Sequence, residues 1–327
     1  MKTMRWLIKR ELWEHQGMLL RAPLVIAALM TLFVGAMLLS GHDMALSING
    51  QQATLSEAIN GAYLSGALEP QRKADMLRMI ASGYMAASAP LFLMLGFLVF
   101  FYCLGALHDE RRDRSVLFWK SLPVSDASTV LSKAIVALVV APVIALALGT
   151  LMSLLLLLLM LCSTLAFKGL NLFPALLATP ELYLTPLRIA ALLPVYALWA
   201  LPTVGWLLMV SIWARSKVFL WAVGAPLLTG AFALWASRAY ELGWNSGWFM
   251  QAIVARVLLG TAPGSWLLFD QQQRAQLLDD ASQRIDLPGI FAHSWAMTGS
   301  SALWLGVAAG CAMILVAIRL RRWQEDI

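Results

Sequence analysis

Six stretches of the chain carry no charged or histidine side chain and are apolar almost throughout: 22–41, 79–107, 134–167, 189–214, 218–237 and 294–318. About 20 helical residues cross the roughly 30 Å of a bilayer's hydrocarbon core, so each run predicts a transmembrane helix. The break at Ala81-Ser82-Gly83 moves the second start to about Tyr84, giving spans at about 22–41, 84–107, 134–162, 189–214, 218–237 and 294–318. Pro90, Pro142, Pro194 and Pro202 lie inside these runs and predict kinks that packed neighbouring helices absorb. An even number of crossings puts both termini on one side.

Between the runs the pattern changes period. Residues 1–21 alternate Trp6, Leu7, Ile8, Leu12 and Trp13 with Lys9, Arg10, Glu11 and Glu14, as an amphipathic helix at the interface does; an ordinary charged flank of the first span reads the same way. The run that follows is too long for a signal-peptide h-region and has no clear small-x-small cleavage site. The sizeable outer segments, 42–83 and 238–293, hold "QRKADMLRMI" and "DQQQRAQLLDDASQRIDL", which predict short amphipathic helices. Residues 248–269 are apolar enough to mimic a seventh span, yet they carry Gln251, Arg256 and a Gly260-Thr261-Ala262-Pro263-Gly264 break. They are expected to lie at, or dip into, the outer interface. The predicted fold is therefore all-α: one polytopic membrane domain over 1–327 with an N-terminal interfacial helix and helical outer segments.

Charge gives this plan a direction. Fifteen of the 24 Lys and Arg fall in 1–21, 108–133, 214–217 and 319–327, which places those flanks in the cytoplasm by the excess of basic residues on that side. A chain that is 60% hydrophobic and 13% charged, with 14 Trp, fits the bilayer as its solvent. Its 3 Cys lie in or at the ends of spans, so no disulfide framework is expected outside.

Several function classes lack their chemistry. The spans contain no Asp, Glu, Lys or Arg, which ion-coupled carriers, proton pumps and voltage sensors need. His15, His42, His108 and His293 have no ligand spacing, so no metal site is expected. A phosphate-binding Gly-x-x-x-x-Gly-Lys-Ser/Thr loop and a Gly-x-Ser-x-Gly elbow are both missing. The chain is expected to be no enzyme by itself, with no catalytic residue and no nucleic-acid partner.

The connector 108–130 concentrates what remains. His108-Asp109-Glu110 is followed by Arg111, Arg112 and Arg114, then by "SVLFWKSL", whose Val116, Leu117, Phe118, Trp119 and Leu122 form a short apolar helix that Pro123 stops. Ser125 and Asp126 suit the N-cap and first turn of the next helix. Such a helix fits a partner's groove, and it also fits a charged topogenic loop with anchoring aromatics. "ERRDRSVLFWKSLPVSDASTVLSK" resembles the signature of the membrane (permease) subunits of type-2 ABC exporters, in which a Glu-Arg cluster leads through a Leu-Pro-Val-Ser turn into a Lys-bearing third span. The resemblance extends to the interfacial helix, the six spans and the outer excursion before the last one; the outer segment 41–83 is longer than compact members have.

That resemblance implies that Glu110, Arg111 and Arg112 occupy the family's charged cluster and that 114–123, with Arg114, Val116, Leu117, Trp119, Lys120, Leu122 and Pro123, forms a coupling helix. Lys133 would sit at the base of the third span. The implied particle has two permease chains, identical or paralogous, and two ABC-type ATP-binding subunits that hold Mg-ATP, in the inner membrane of a bacterium among membrane lipids. This chain itself would bind no cofactor. Apolar spans are compatible with a lipid, a hydrophobic peptide or antibiotic, or a lipid-linked glycan as substrate. Trp199, Trp206 and Trp213, spaced by seven, form a stripe that lines a translocation path, a dimer seam, or a packed or lipid-facing surface. A non-transporting membrane anchor or assembly protein has the same charge-free spans, whereas a channel or ion-coupled carrier lacks its polar residues here.

Overall fold

The computed structural model describes residues 2–40, 45–48, 51–54, 70–113, 124–169, 171–240, 246–268 and 287–323. The protein is an all-α, multi-pass membrane protein: six helical stretches, Gly17–Leu39, Lys73–Arg112, Asp126–Phe167, Glu181–Trp213, Val218–Ala239 and Ser301–Trp323, are long and apolar enough to cross a bilayer. Their regular cores are called here span 1 (Ala22–Leu39), span 2 (Ala89–Gly105), span 3 (Ala141–Lys168), span 4 (Leu193–Trp213), span 5 (Val218–Ala239) and span 6 (Ser301–Trp323). The first outer segment is not wholly helical. Ala45–Ile48 pairs antiparallel with Gln51–Thr54 before the helix Pro70–Gly83 begins.

Prolines and glycines set the boundaries. Span 1 follows a π turn at Gly17–Arg21 and span 3 one at Val136–Val140, each just ahead of a proline, Pro23 and Pro142. Proline lacks the N–H for the ordinary bond and its ring crowds the carbonyl four residues back; the wider turn makes room. Span 3 ends where Gly169 turns left-handed at φ 65°. The expected last span from Ser294 is interrupted: Leu287–Ala296 ends in a 3₁₀ turn at Met297–Gly299, and span 6 starts afresh at Ser301.

Span 4 is the hub. Seventy-two per cent of its apolar window is buried, against 11% for span 1 and 22% for spans 5 and 6. It packs most closely on span 6, because two glycines face one another: a Cβ on Gly205 would stand 2.6 Å from the Gly310 carbonyl oxygen, and one on Gly310 would stand 2.8 Å from the Leu201 carbonyl carbon. Small residues at such a crossing let backbones approach, which is how helices gain contact where lipid already surrounds them. Around this pair lies a core of Val99, Tyr102, Val130, Val136, Val204 and Leu207. Leu32, Phe33, Phe97, Leu228, Phe232 and Leu305 point outward, as side chains facing acyl tails do.

Candidate functional site: a buried ionic node at the root of the connector

At the face that carries the N-terminal helix, charged groups distant in sequence converge. The helix Lys2–Glu14 packs on Asp126–Ile135, and its inward face holds Leu7 and, one turn on, Glu11, both buried. Trp6 and Trp13 face out, with the Lys9 ammonium over the Trp13 ring. Glu11 receives the Lys133 ammonium at 2.9 and 3.1 Å, the Arg10 guanidinium at 2.7 Å and the Tyr102 hydroxyl at 3.1 Å.

Lys133 also lies 2.9 Å from Glu110, and Glu110 pairs with Arg321 at 3.0 Å and Arg10 at 3.2 Å. Arg321 reaches on to Asp126 at 3.0 Å. Three cations thus face three inward carboxylates, with Glu14 at the exposed rim 3.7 Å from Arg10 and the His15 ring 3.9 Å from Glu11; Glu11, Lys133, Glu110 and Arg321 are each about 95% buried or more. A buried charge is tolerable only when paired, and each charged group of this node has an opposite partner, so that the node joins the N-terminal helix, the end of span 2, the start of the third helical stretch and the last turn of span 6. The expected cap at the head of that stretch is present: the Ser125 hydroxyl accepts from the Ser128 amide at 3.2 Å.

The connector's charged cluster therefore divides. Glu110 turns into the node. Arg111 turns onto the end of span 4, donating to the Ile212 carbonyl at 2.8 Å and to that of Ala214, where a helix C-terminus leaves its carbonyls without partners. The Ser211 hydroxyl of the same span accepts from the Leu107 and His108 amides at 3.1 and 3.0 Å. Among the described residues of the cluster, Arg112 faces outward, beside Asp109 and Asp113. Arg114, Val116, Leu117, Trp119, Lys120, Leu122 and Pro123 lie outside the described residues.

The tryptophan stripe is graded along span 4. Trp199 is buried, Trp206 is partly buried and donates to the Ala222 carbonyl of span 5 at 3.0 Å, and Trp213 is exposed, edge-on to Trp221. Against Trp199 lies the segment that mimicked a span. The helix from Ser246 to Leu259 enters the bundle, its backbone turns at Gly260 beside Thr203, halfway along span 4, and Ala262 abuts Gly96, halfway along span 2. It then climbs back past Tyr196, which donates to the Thr261 carbonyl at 3.0 Å, and Trp199, which donates to Ser265 at 3.0 Å. This segment is re-entrant. Arg256 anchors it, its guanidinium 4.2 Å from the Trp199 ring centroid and donating to the Ala302 carbonyl at 2.8 Å, in a notch that any side chain at Gly306 would fill.

Sequence reading singled out Lys133 at the base of its span and Glu110 in the connector, but not Arg10, Glu11, Tyr102, Asp126 or Arg321 as their partners. Glu11 carried a signal: it sits four residues from Leu7, on the apolar stripe of an amphipathic helix. Among the described residues no group of three or more His, Cys, Asp or Glu is placed to hold a metal ion. No family model, no curated protein and no solved structure matches this chain. The fold and the site define a class only, a multi-pass membrane protein with six membrane-spanning helices among the described residues and a buried ionic node at one face.

Proposed function

We propose that the chain is the permease subunit of an ATP-driven ABC exporter of the second type, working as a dimer with an identical or paralogous chain and driven by two ATP-binding subunits that dock on the connector. On this reading the ionic face is cytoplasmic, both termini lie there, and the membrane is a bacterium's inner membrane. The observation that carries the proposal is the node. A connector that takes a push from outside must be rigidly joined to the helices it moves, and Glu110 joins its root to the N-terminal helix, the third helical stretch and span 6 while Arg111 joins it to span 4. Paired, desolvated charges resist shear because separating them leaves a buried charge alone. The division of labour follows: Glu110 and Arg111 transmit, and Arg112 with residues 114–123 docks.

The test is a photo-crosslinking amino acid at Arg112, introduced into the full chain in its native membrane. A crosslinked protein with a Gly-x-x-x-x-Gly-Lys-Ser/Thr loop is the expected product. Crosslinks to lipid alone, or to proteins without that loop, would remove the docking role and with it the permease reading.

A further inference from the structure

The geometry points to span 5 as a hinged arm: we propose that Pro226–Ala239 swings about Pro226, away from the re-entrant helix, and opens a lateral cleft toward the lipid at Gly230. Pro226 sits inside the helix Val218–Ala239 and has no N–H for the Ala222 carbonyl. That carbonyl accepts instead from the Trp206 indole of span 4 at 3.0 Å. The bond fixes one side of the break to the hub and leaves the break itself without its stiffening helical bond. Tyr84 treats the proline of another helix alike, donating at 3.2 Å to the Leu182 carbonyl four residues before Pro186.

Beyond Pro226, among the described residues, the arm meets the re-entrant helix at the apolar side chains of Met250 and Val254. Gly230 lies against Met250, and a Cβ there would stand 3.0 Å from Val254 Cγ2. The re-entrant backbone at this point is a π turn, Met250–Ala255, a wide turn whose hydrogen bonding is readily rearranged and which recurs at functional sites. The opposite side of the re-entrant segment is held differently: Arg256 to Ala302, Thr203 to the Arg256 carbonyl at 2.8 Å, Tyr196 to Thr261, Trp199 to Ser265, and Trp266 to Ser294 at 2.9 Å. Directional bonds in an apolar medium keep that side together, whereas apolar contacts against Gly230 exchange for lipid tails with little change in free energy. Span 4, span 6 and the re-entrant segment move as one body, and the arm parts from it. This inference stands apart from the permease reading, since a hinge of this kind serves any membrane protein that admits a molecule from the side.

Spin-label distance measurements on the full chain in lipid nanodiscs, with the exposed Cys162 and Cys311 replaced by Ser, decide it. Labels at Phe232 and Leu259 report arm to re-entrant helix; labels at Leu259 and Leu305 report re-entrant helix to span 6, all three positions being exposed. The first distance is expected to be broad or two-peaked and the second single and narrow, and Pro226→Ala, which restores the helical N–H, is expected to abolish the longer component of the first. Equal widths in the two pairs, or a Phe232–Leu259 distribution that Pro226→Ala leaves unchanged, would overturn the hinge. Because the readout is a distance and involves no ATPase, either result leaves the permease reading to its own test.

Discussion

Lys133→Met removes the more deeply buried of the two cations, Lys133 and Arg10, that contact both central carboxylates of the node. Glu11 keeps Arg10 and Tyr102, and Glu110 keeps Arg321 and Arg10, but the group now holds three carboxylates against two cations. Methionine fills much of the lysine stem's volume, so the loss is electrostatic rather than steric. Stranding a buried charge by deleting its partner costs about 3–5 kcal/mol. With an unfolding entropy of about 2.1 cal/mol/K per residue over 327 residues, each kcal/mol is worth about 1.5 °C, and the melting temperature in a fixed detergent should fall by roughly 4–7 °C. Pairing the change with Glu11→Gln leaves two inward carboxylates against two cations, and the double variant should recover at least half of the loss, since replacing both members of a buried pair is far milder than removing one. A single variant within about 1 kcal/mol of the parent, or a double variant less stable than the single, would refute the node as a tightly coupled unit.

Other outcomes follow from the same structure. Trp206→Phe strands the Ala222 carbonyl and should cost about 1–3 kcal/mol; in a Pro226→Ala background the helix supplies its own donor, so the same change should cost less than half as much in thermal unfolding. Gly310→Leu drives a side chain into the Leu201–Pro202 backbone, and overpacking of this kind costs about 1–3 kcal/mol or more; the fraction eluting as a single species on size exclusion should drop sharply. Arg256→Ala gives up the contact with Trp199 and the bond to Ala302 and should destabilise by about 2 kcal/mol, with Arg256→Lys recovering only part, because an ammonium lacks the flat fork that reaches both.

What sequence could and could not reveal divides along local and distant physics. The six helices were legible because a run that must satisfy its backbone inside lipid has one solution, and the Ser125 cap because its partner is three residues away. The node was not, because Glu11 is 122 residues from Lys133 and Glu110 is 211 from Arg321, separations that no period encodes. Trp199, Trp206 and Trp213 share a helix face by spacing, since seven residues rotate the position by only about 20°. Their fates differ by depth, the first meeting the re-entrant turn and the last emerging beyond it. Arg256 within an apolar stretch marked 248–269 as something other than a span, and the glycine break marked its turn. How far it descends depends on Gly96, Gly230 and Gly306 in three other helices, which make room for it. The hairpin Ala45–Ile48 and Gln51–Thr54 was missed because its alternation is short and polar.

On the proposed function, this membrane domain is moved by an ATP-hydrolysing partner. The deciding experiment is to purify the tagged full chain from its native membrane in mild detergent and to measure both the stoichiometry of what accompanies it and the complex's ATP hydrolysis. An ATP-binding subunit in near one-to-one ratio and hydrolysis by the complex are expected. The chain alone, or with partners that hydrolyse no ATP, in repeated preparations would contradict the proposed function.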